Sequence, residues 1–425
     1  MNLSVKKEKT NKNKAVFLVF LAWLVYSISY LGKVNYSANI TQIIDFYGVT
    51  KAQAGAVPTF LFFSYGAGQI FNGLFCKKYN IKWMIFTSLI TSGIVNLIIA
   101  MTTNFGIIKW LWLINGIALS ILWPTLIRLI SESMPQRILG TSTVVMGTTV
   151  ATGTLVIYGL SSVFAFFNKF KLSFYTASFA MILVAIIWIL LYEKSVSSAK
   201  KEKAQEEIVA AEAQEEVQTL TQSNHKKADM RVFYTCLYVL CFCAIGVNLI
   251  KDGLQTWVPS ILKEEFSMDD SLSILLTLFL PILAIFGNAY AIRVHKKIPD
   301  YVNHCAVTFA VIAIVICIII GSLAAQSVVF MLFGLIAANF LASSLNSLIT
   351  SIYPLFMRGK VNSGLIAGVL NGFCYLGSTL SSYGLGAIAD RFEWTAVFYT
   401  LMGFCVLVFI AWGIYSVIKH CAKTR

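Results

Sequence analysis

The sequence predicts an all-α, polytopic membrane protein of twelve transmembrane helices in two pseudo-symmetric six-helix bundles. Three observations carry that expectation. First, the 425 residues are 58% hydrophobic and only 12% charged, with a mean hydropathy of +0.76, outside the range of a water-soluble domain. Second, roughly a dozen runs of about 20 mostly apolar residues can be marked off, each long enough to cross a bilayer. In lipid these must be helices, because an open strand would leave its backbone groups unpaired. Third, positive charge is distributed by side. About 25 of the 33 lysines and arginines fall in the termini and in every second loop, the positive-inside pattern that puts both termini in the cytoplasm, under an inner or plasma membrane.

Taken in order, the first run (about 15–40) is too long for a signal-peptide core and lacks a small-residue cleavage site, so it stays as a helix. The second (about 52–75) follows a short outer loop with Asp45 and Lys51, and a basic turn from Lys77 to Lys82 leads into the third (about 83–103). The fourth (about 107–131) contains Trp123-Pro124, where a bend is expected because proline withholds an N–H. Near its inner end lies Arg128, expected in a structural or gating contact. The fifth (about 139–166) carries Gly140, Gly147, Gly153 and Gly159, small residues that let helices approach where lipid supplies no hydrophobic drive. The sixth spans about 172–192. From Glu193 to Arg231 the composition turns to Glu, Gln, Lys and Ala, a cytoplasmic linker helical in part around Glu202–Leu220; His225 within it reads as solvated. Six more helices follow at about 232–262, 271–292, 301–322, 327–355, 360–388 and 394–418. The domain plan is therefore a tail over 1–14, bundles over 15–192 and 232–418, a linker over 193–231 and a tail over 419–425.

The net charge of +14 sits in the basic turns and reads as a topology signal facing anionic lipid, not as a nucleic-acid footprint. Nine cysteines show no Cys-x-x-Cys pair and read as small buried hydrophobes. No nucleophile pair, metal-ligand cluster or Gly-x-x-x-x-Gly-Lys loop is present, so neither an enzyme nor a bound cofactor is expected.

Two cations lie inside apolar runs, Lys33 in the first and Lys251 in the seventh. An ionisable group at membrane depth costs roughly 2.5–3.5 kcal/mol on insertion scales, which makes it a functional-site candidate. Each stands 18 or 19 residues into its helix, so both reach roughly 27–28 Å from the cytoplasmic ends at 1.5 Å per residue. The alternative is snorkelling or a salt bridge that fixes packing. Asp252 is the one carboxylate well inside a run. Neighbours on a helix project about 100° apart, so Asp252 is expected to meet a cation or hydroxyl of another helix, or to serve as a coupling carboxylate. Tyr26 and Tyr30 share a face with Lys33 and are candidate pocket phenols. Asn35 and Asn248 are candidates as well, with interhelical hydrogen bonding as the alternative.

Tyr30-Leu-Gly-Lys-Val-Asn-Tyr36, Lys251-Asp-Gly-Leu-Gln-Thr-Trp-Val-Pro259, Leu122-Trp-Pro-Thr-Leu-Ile-Arg128 and Gly368-Val-Leu-Asn-Gly-Phe-Cys-Tyr-Leu-Gly377 with Ala389-Asp-Arg-Phe-Glu-Trp394 resemble the major facilitator superfamily. Within it they resemble the organophosphate:phosphate antiporter branch of glycerol-3-phosphate and hexose-phosphate transporters. The resemblance covers nearly the whole membrane portion. It implies that Lys33 and Lys251 stand where paired arginines hold a substrate phosphate, and that Tyr26, Tyr30, Tyr65 and Tyr375 match aromatic hydroxyls around the pocket. The sequence departs from the branch in both lysines, which lose the bidentate fork but keep a point charge. It departs again at Val150, Gln69 and Leu276, where the branch carries a histidine, a lysine and a glutamate. The Gly-x-x-x-Asp-Arg motif lacks its aspartate, Lys77 following Gly73-Leu-Phe-Cys76.

The function these readings imply is secondary transport of a small organic anion by alternating access, the anion held between Lys33 and Lys251 in a monomeric protein. Phosphate or a proton is the candidate coupling ion. The alternatives are a membrane sensor of the same branch and a lipid flippase on the same fold.

Overall fold

The computed structural model describes residues 2–75, 79–214, 230–357 and 363–423. Lys77 and His225 lie outside them. Every regular element among the described residues is helical. Among the described residues nine helices are long and apolar enough to cross a membrane, or ten when one bent pair is counted as a span. Two further crossings complete the expected twelve. Lys51–Phe75 is one of them. The other arises because the 61-residue helix Ser363–Lys423 turns at Glu393, whose φ of 65° and ψ of 175° are non-helical.

The first half comprises α1 (Asn2–Ala38), α2 (Ile40–Tyr47), α3 (Lys51–Phe75), α4 (Ile81–Met101), α5 (Phe105–Ser120), α6 (Leu122–Ser133), α7 (Gln136–Gly147), α8 (Thr149–Phe166) and α9 (Lys171–Gln214). The second comprises α10 (Met230–Phe266), α11 (Asp270–Thr277), α12 (Phe279–Ala284), α13 (Gly287–Lys297), α14 (Tyr301–Ala324), α15 (Val328–Ser347), α16 (Tyr353–Phe356) and α17 (Ser363–Lys423). Twelve crossings return the chain to the side from which it starts, called here the terminal side. Large apolar side chains stand open around the perimeter, with Phe179, Leu190 and Val329 70%, 72% and 74% exposed. Such a surface suits hydrocarbon, not water.

Sequence chemistry explains the ends and breaks. Asn80, Asn104 and Asp300 cap α4, α5 and α14 by accepting from backbone N–H groups of the first turn. The outer loop after α1 is itself a short helix, α2, closed by Gly48 in the left-handed region at φ 63°. Pro124 leaves the carbonyl of Ser120 without its helical donor, and the break between α5 and α6 falls at Ile121. Pro281 does the same to Thr277, and α11 gives way to α12 at Leu278. The single helix expected over 271–292 is therefore three pieces, with a 44° bend before α13. Pro354 follows a π-helical turn over Leu348–Ile352, which interrupts the helix expected over 327–355.

The linker needs a second correction. Helix α9 does not stop near 192 but runs to Gln214. Its extension docks on the α6–α7 turn: Glu202 pairs with Arg137, Glu206 accepts from the Arg137 N–H at 3.1 Å, and Lys203 donates to Ser131 and Glu132 carbonyls. Residues 215–229 lie outside the described residues.

The cores show how the halves meet. On the terminal side the first half has its own core, including Leu18, Ala22, Ile85, Leu126 and Trp188. On the far side its residues Tyr36, Ile40, Val57, Leu61 and Trp112 join the second half's Trp257, Val258 and Trp394 in one core. Polar ties reinforce that seal. Asp390 accepts from the Lys51 and Ala52 N–H groups at 3.0 and 2.7 Å, Lys51 pairs with Glu264 at 3.0 Å, and Lys263 with Asp45 at 2.6 Å. Helices α3 and α17 approach so closely that a Cβ on Gly55 would stand 2.1 Å from the Ser382 carbonyl oxygen.

Two outcomes test this packing. A Cβ on Gly153 would lie 2.2 Å from the Ser27 carbonyl oxygen, whereas nothing stands within 4 Å of one on Gly159. Gly153→Leu should therefore cost about 1–3 kcal/mol by overpacking while Gly159→Leu costs little, as read by thermal unfolding. On the terminal side Asp300 joins α14 to α17 through Lys419 and Tyr415. Burial pushes its carboxyl up, but hydrogen bonds from Lys419, the Asn303 N–H and Tyr415 outweigh this and hold it below the ordinary 3.8. A depressed folded value means stability that is present above 3.8 and lost as pH falls through the folded value. Asp300→Asn should lower the unfolding temperature at pH 7, and its deficit should close as pH falls below 3.8.

Candidate functional site

A cavity of about 300 Å³ lies between the halves. It is built from stripes of polar residues at helical spacing. On α10 these are Asn248, Lys251, Asp252 and Gln255; on α15, Asn339, Ser343, Asn346 and Ser347. Residues at i, i+3, i+4 and i+7 share one helix face, so each stripe turns inward while the opposite face of α10 buries Ile250, Leu254, Val258 and Ile261. From the first half come Tyr30, Lys33 and Ser37 on α1 and Val150, Ala151 and Thr154 on α8. Asn371 and Tyr375 of α17 complete the polar wall.

Lys33 and Lys251 thus line the same cavity from opposite halves, but their surroundings differ. Lys33 is 7% exposed. Its ammonium lies 3.7 Å from the Tyr65 ring centroid, 5.0 Å from Tyr30 and 5.5 Å from Tyr375, three ring faces that attract a cation. Among the described residues it has neither an ion pair nor a hydrogen bond. Lys251 instead meets Asp252, Nζ to Oδ1 at 3.2 Å, and its backbone carbonyl accepts from Asn339 at 3.2 Å.

That pairing corrects the expectation that Asp252 turns away from its neighbour. The Cα–Cβ directions do diverge, but the long flexible lysine stem brings the ammonium round to the carboxylate. The expected hydroxyl from another helix is there too. Ser378 of α17 donates to Oδ2 at 2.5 Å, and Asn248 donates to the same oxygen at 3.2 Å. Asn248 also donates to Ser378, while its Oδ1 is buried without a partner.

The remaining candidates divide. Tyr30, Tyr375 and Asn248 line the cavity. Tyr26 and Tyr65 stand behind it, hydroxyl to hydroxyl at 3.3 Å, with Tyr26 packed on Trp123 at 4.8 Å between centroids. Tyr65 also accepts from Gln69, which bonds Asn371 across the halves. Asn35 is not a wall residue. Its amide donates to Asn96 at 2.8 Å, in a buried network with Asn115 and the Gly32 carbonyl that ties α1 to α4 and α5. Arg128 lies toward the terminal side, bonded to Glu132 at 2.7 Å and to the Tyr79 carbonyl. Pro124 acts through the helix break. The amides Gln255, Asn339, Asn346 and Asn371 escaped the sequence reading, although polar residues recurring at helical spacing inside apolar runs were a usable signal.

A family profile described as the Major Facilitator Superfamily matches residues 22–365. The chain belongs to that superfamily. Curated relatives are distant. The membrane sensor protein UhpC of Escherichia coli is 21% identical over 99 residues, 23% of each chain, so that match spans about a quarter of the relative. A probable hexose phosphate transport protein of Chlamydia muridarum is 20% identical over 94% of this chain and 90% of its own. The human sugar phosphate exchanger 3 is 21% identical over 84% and 79%. These relatives are those of the organophosphate branch. Among solved structures, a bacterial homologue of the human lysosomal transporter Spinster, inward-facing and occupied, superposes with a TM-score of 0.72 at 13% identity, covering 95% of this chain and 97% of that one. A D-xylose–proton symporter gives 0.70 at 12% identity, covering 93% and 97%. Both show the fold alone.

The ring contacts on Lys33 have a measurable consequence. Tyr65→Phe keeps the nearest ring face, whereas Tyr65→Leu removes it. The second variant should be less stable than the first by about 1 kcal/mol, compared by thermal unfolding in the same detergent.

Proposed function

We propose that this superfamily transporter is a secondary carrier of a small polar organic anion, its anionic group a carboxylate or a phosphate, held between Lys33 and Lys251. The observation that carries the reading is that two cations of opposite halves line one cavity, with Lys33 free of any ion pair among the described residues. An anion bound there touches both halves at once. It compensates the Lys33 charge, which has no ion pair among the described residues, in a poorly screened site, which gives the differential affinity that a ligand-driven rearrangement requires. Alternating access then consists of opening the far-side seal as the terminal side closes. The relatives named as hexose phosphate transport proteins and a sugar phosphate exchanger support an organophosphate, in a singly charged form, as one member of the substrate class. The basic loops support an inner or plasma membrane location with both termini in the cytoplasm.

Uptake into proteoliposomes tests this. Lys33→Gln and Lys251→Gln should each abolish anion uptake while folding is retained, and Lys→Arg at either position should keep more uptake than Gln. Wild-type rates in both Gln variants would refute the reading. A second reading, a membrane sensor, has the UhpC match in its favour. It predicts ligand stabilisation of the purified protein without uptake.

A further inference from the structure

We propose that Asp252 sets the charge of the ligand: by neutralising Lys251 it leaves Lys33 as the one uncompensated cation among the described residues that line the cavity, so the cavity takes an organic monoanion carrying an O–H or N–H donor and rejects dianions. This rests on the anion-carrier reading and adds to it a charge and a selecting residue.

Among the described residues that line the cavity, only Lys33, Lys251 and Asp252 are charged. Asp252 is 9% exposed, and its partners are all donors: Lys251 Nζ, Ser378 Oγ and Asn248 Nδ2. An ionised carboxylate, an acceptor only, is matched by that set. Ser378 belongs to α17, and Asn339 pins the backbone at Lys251 from α15, so the pair is anchored by two other helices. Lys33 faces phenol rings and, among the described residues, is hydrogen-bonded to no acceptor. The three charges therefore leave a single positive one over. A ligand's first negative charge settles on Lys33; a second would lie against the Asp252 carboxylate in a space of about 300 Å³, where like charges repel strongly. The buried Asn248 Oδ1 without a donor supplies the other half of the specification, since a buried acceptor calls for a hydrogen-bond donor. A hydroxyl of a polyol or sugar body provides it.

The test uses two ligand pairs that keep the body and change the charge. One pair is glucose 6-phosphate and its methyl phosphodiester; the other is glucarate and gluconate. Stabilisation of the purified full chain is titrated at pH 7, where a phosphomonoester is mostly dianionic, its second pKa being about 6. In the wild type the monoanion of each pair should bind at least about tenfold more tightly. Asp252→Asn leaves two cations and should reverse the order. Because that change strands Lys251, the double variant Lys251→Gln/Asp252→Asn, which returns the cavity to one cation, is the control. It should again prefer monoanions, while Lys251→Gln alone should bind neither member. Equal affinities within each pair in the wild type, or a double variant that prefers dianions, would overturn the proposal and leave the carrier reading standing. Stabilisation by neutral glucose and by none of the four anions would overturn the carrier reading and this proposal together.

Discussion

A lysine ammonium held at membrane depth with no ion pair among the described residues is the constraint on which the middle of the molecule depends. Lipid offers no solvation to such a charge, so the protein must surround it. It does so with the ring faces of Tyr30, Tyr65 and Tyr375, drawn from α1, α3 and α17. The Tyr65 ring is in turn fixed by hydroxyl and amide contacts running from Tyr26 through Tyr65 and Gln69 to Asn371. The electrostatic problem of one side chain thus determines how three helices from two halves pack. Lys251, solved by a carboxylate instead, gives the second half a different local chemistry. The pseudo-symmetry of the fold is broken at the point where a ligand would sit.

The asymmetry between the two sides follows from how apolar surface is shared. On the far side, residues of both halves bury one another in a common core, and ion pairs involving Lys51 and Lys263 close over it. On the terminal side the first half packs into a core of its own, so less apolar surface there ties it to the second half. Exposed ion pairs are individually worth little, typically about 0–1 kcal/mol, so the shared core dominates the seal and the ion pairs set its register.

Much of this was legible in the chain. Length and apolarity gave the crossings, and the cost of intramembrane charge singled out Lys33, Lys251 and Asp252, all of which line the cavity. What escaped was whatever depends on side-chain reach or on a partner helix. The Lys251–Asp252 contact defied a projection that considers only Cα–Cβ directions. Asn35 looked the same as Asn248 in sequence because a polar residue in an apolar helix suits either a wall or an interhelical bond; only the position of Asn96 decides. Pro124 announced its break, whereas Pro281 passed unread although it acts through the same missing N–H. The linker composition concealed that Glu202 and Glu206 had a fixed partner in Arg137.

The close approach of α3 and α17 has a mechanical meaning. At Gly55, Gly66 and Gly386 one helix lies against the other with no side chain of its own between them. At Gly55 and Gly386 the approach is to backbone, the Ser382 and Lys51 carbonyls, so the two helices stay in register along that line while a small rotation about it remains open, as a hinge pin turns in its sleeve. On the carrier reading, rotation about that line spreads or closes the opposite seam, where Tyr158 and Ser162 of α8 hold the Gln255 and Ser271 carbonyls. One seam then acts as an axle and the other as a clasp, and the barrier to turning is set by a few hydrogen bonds.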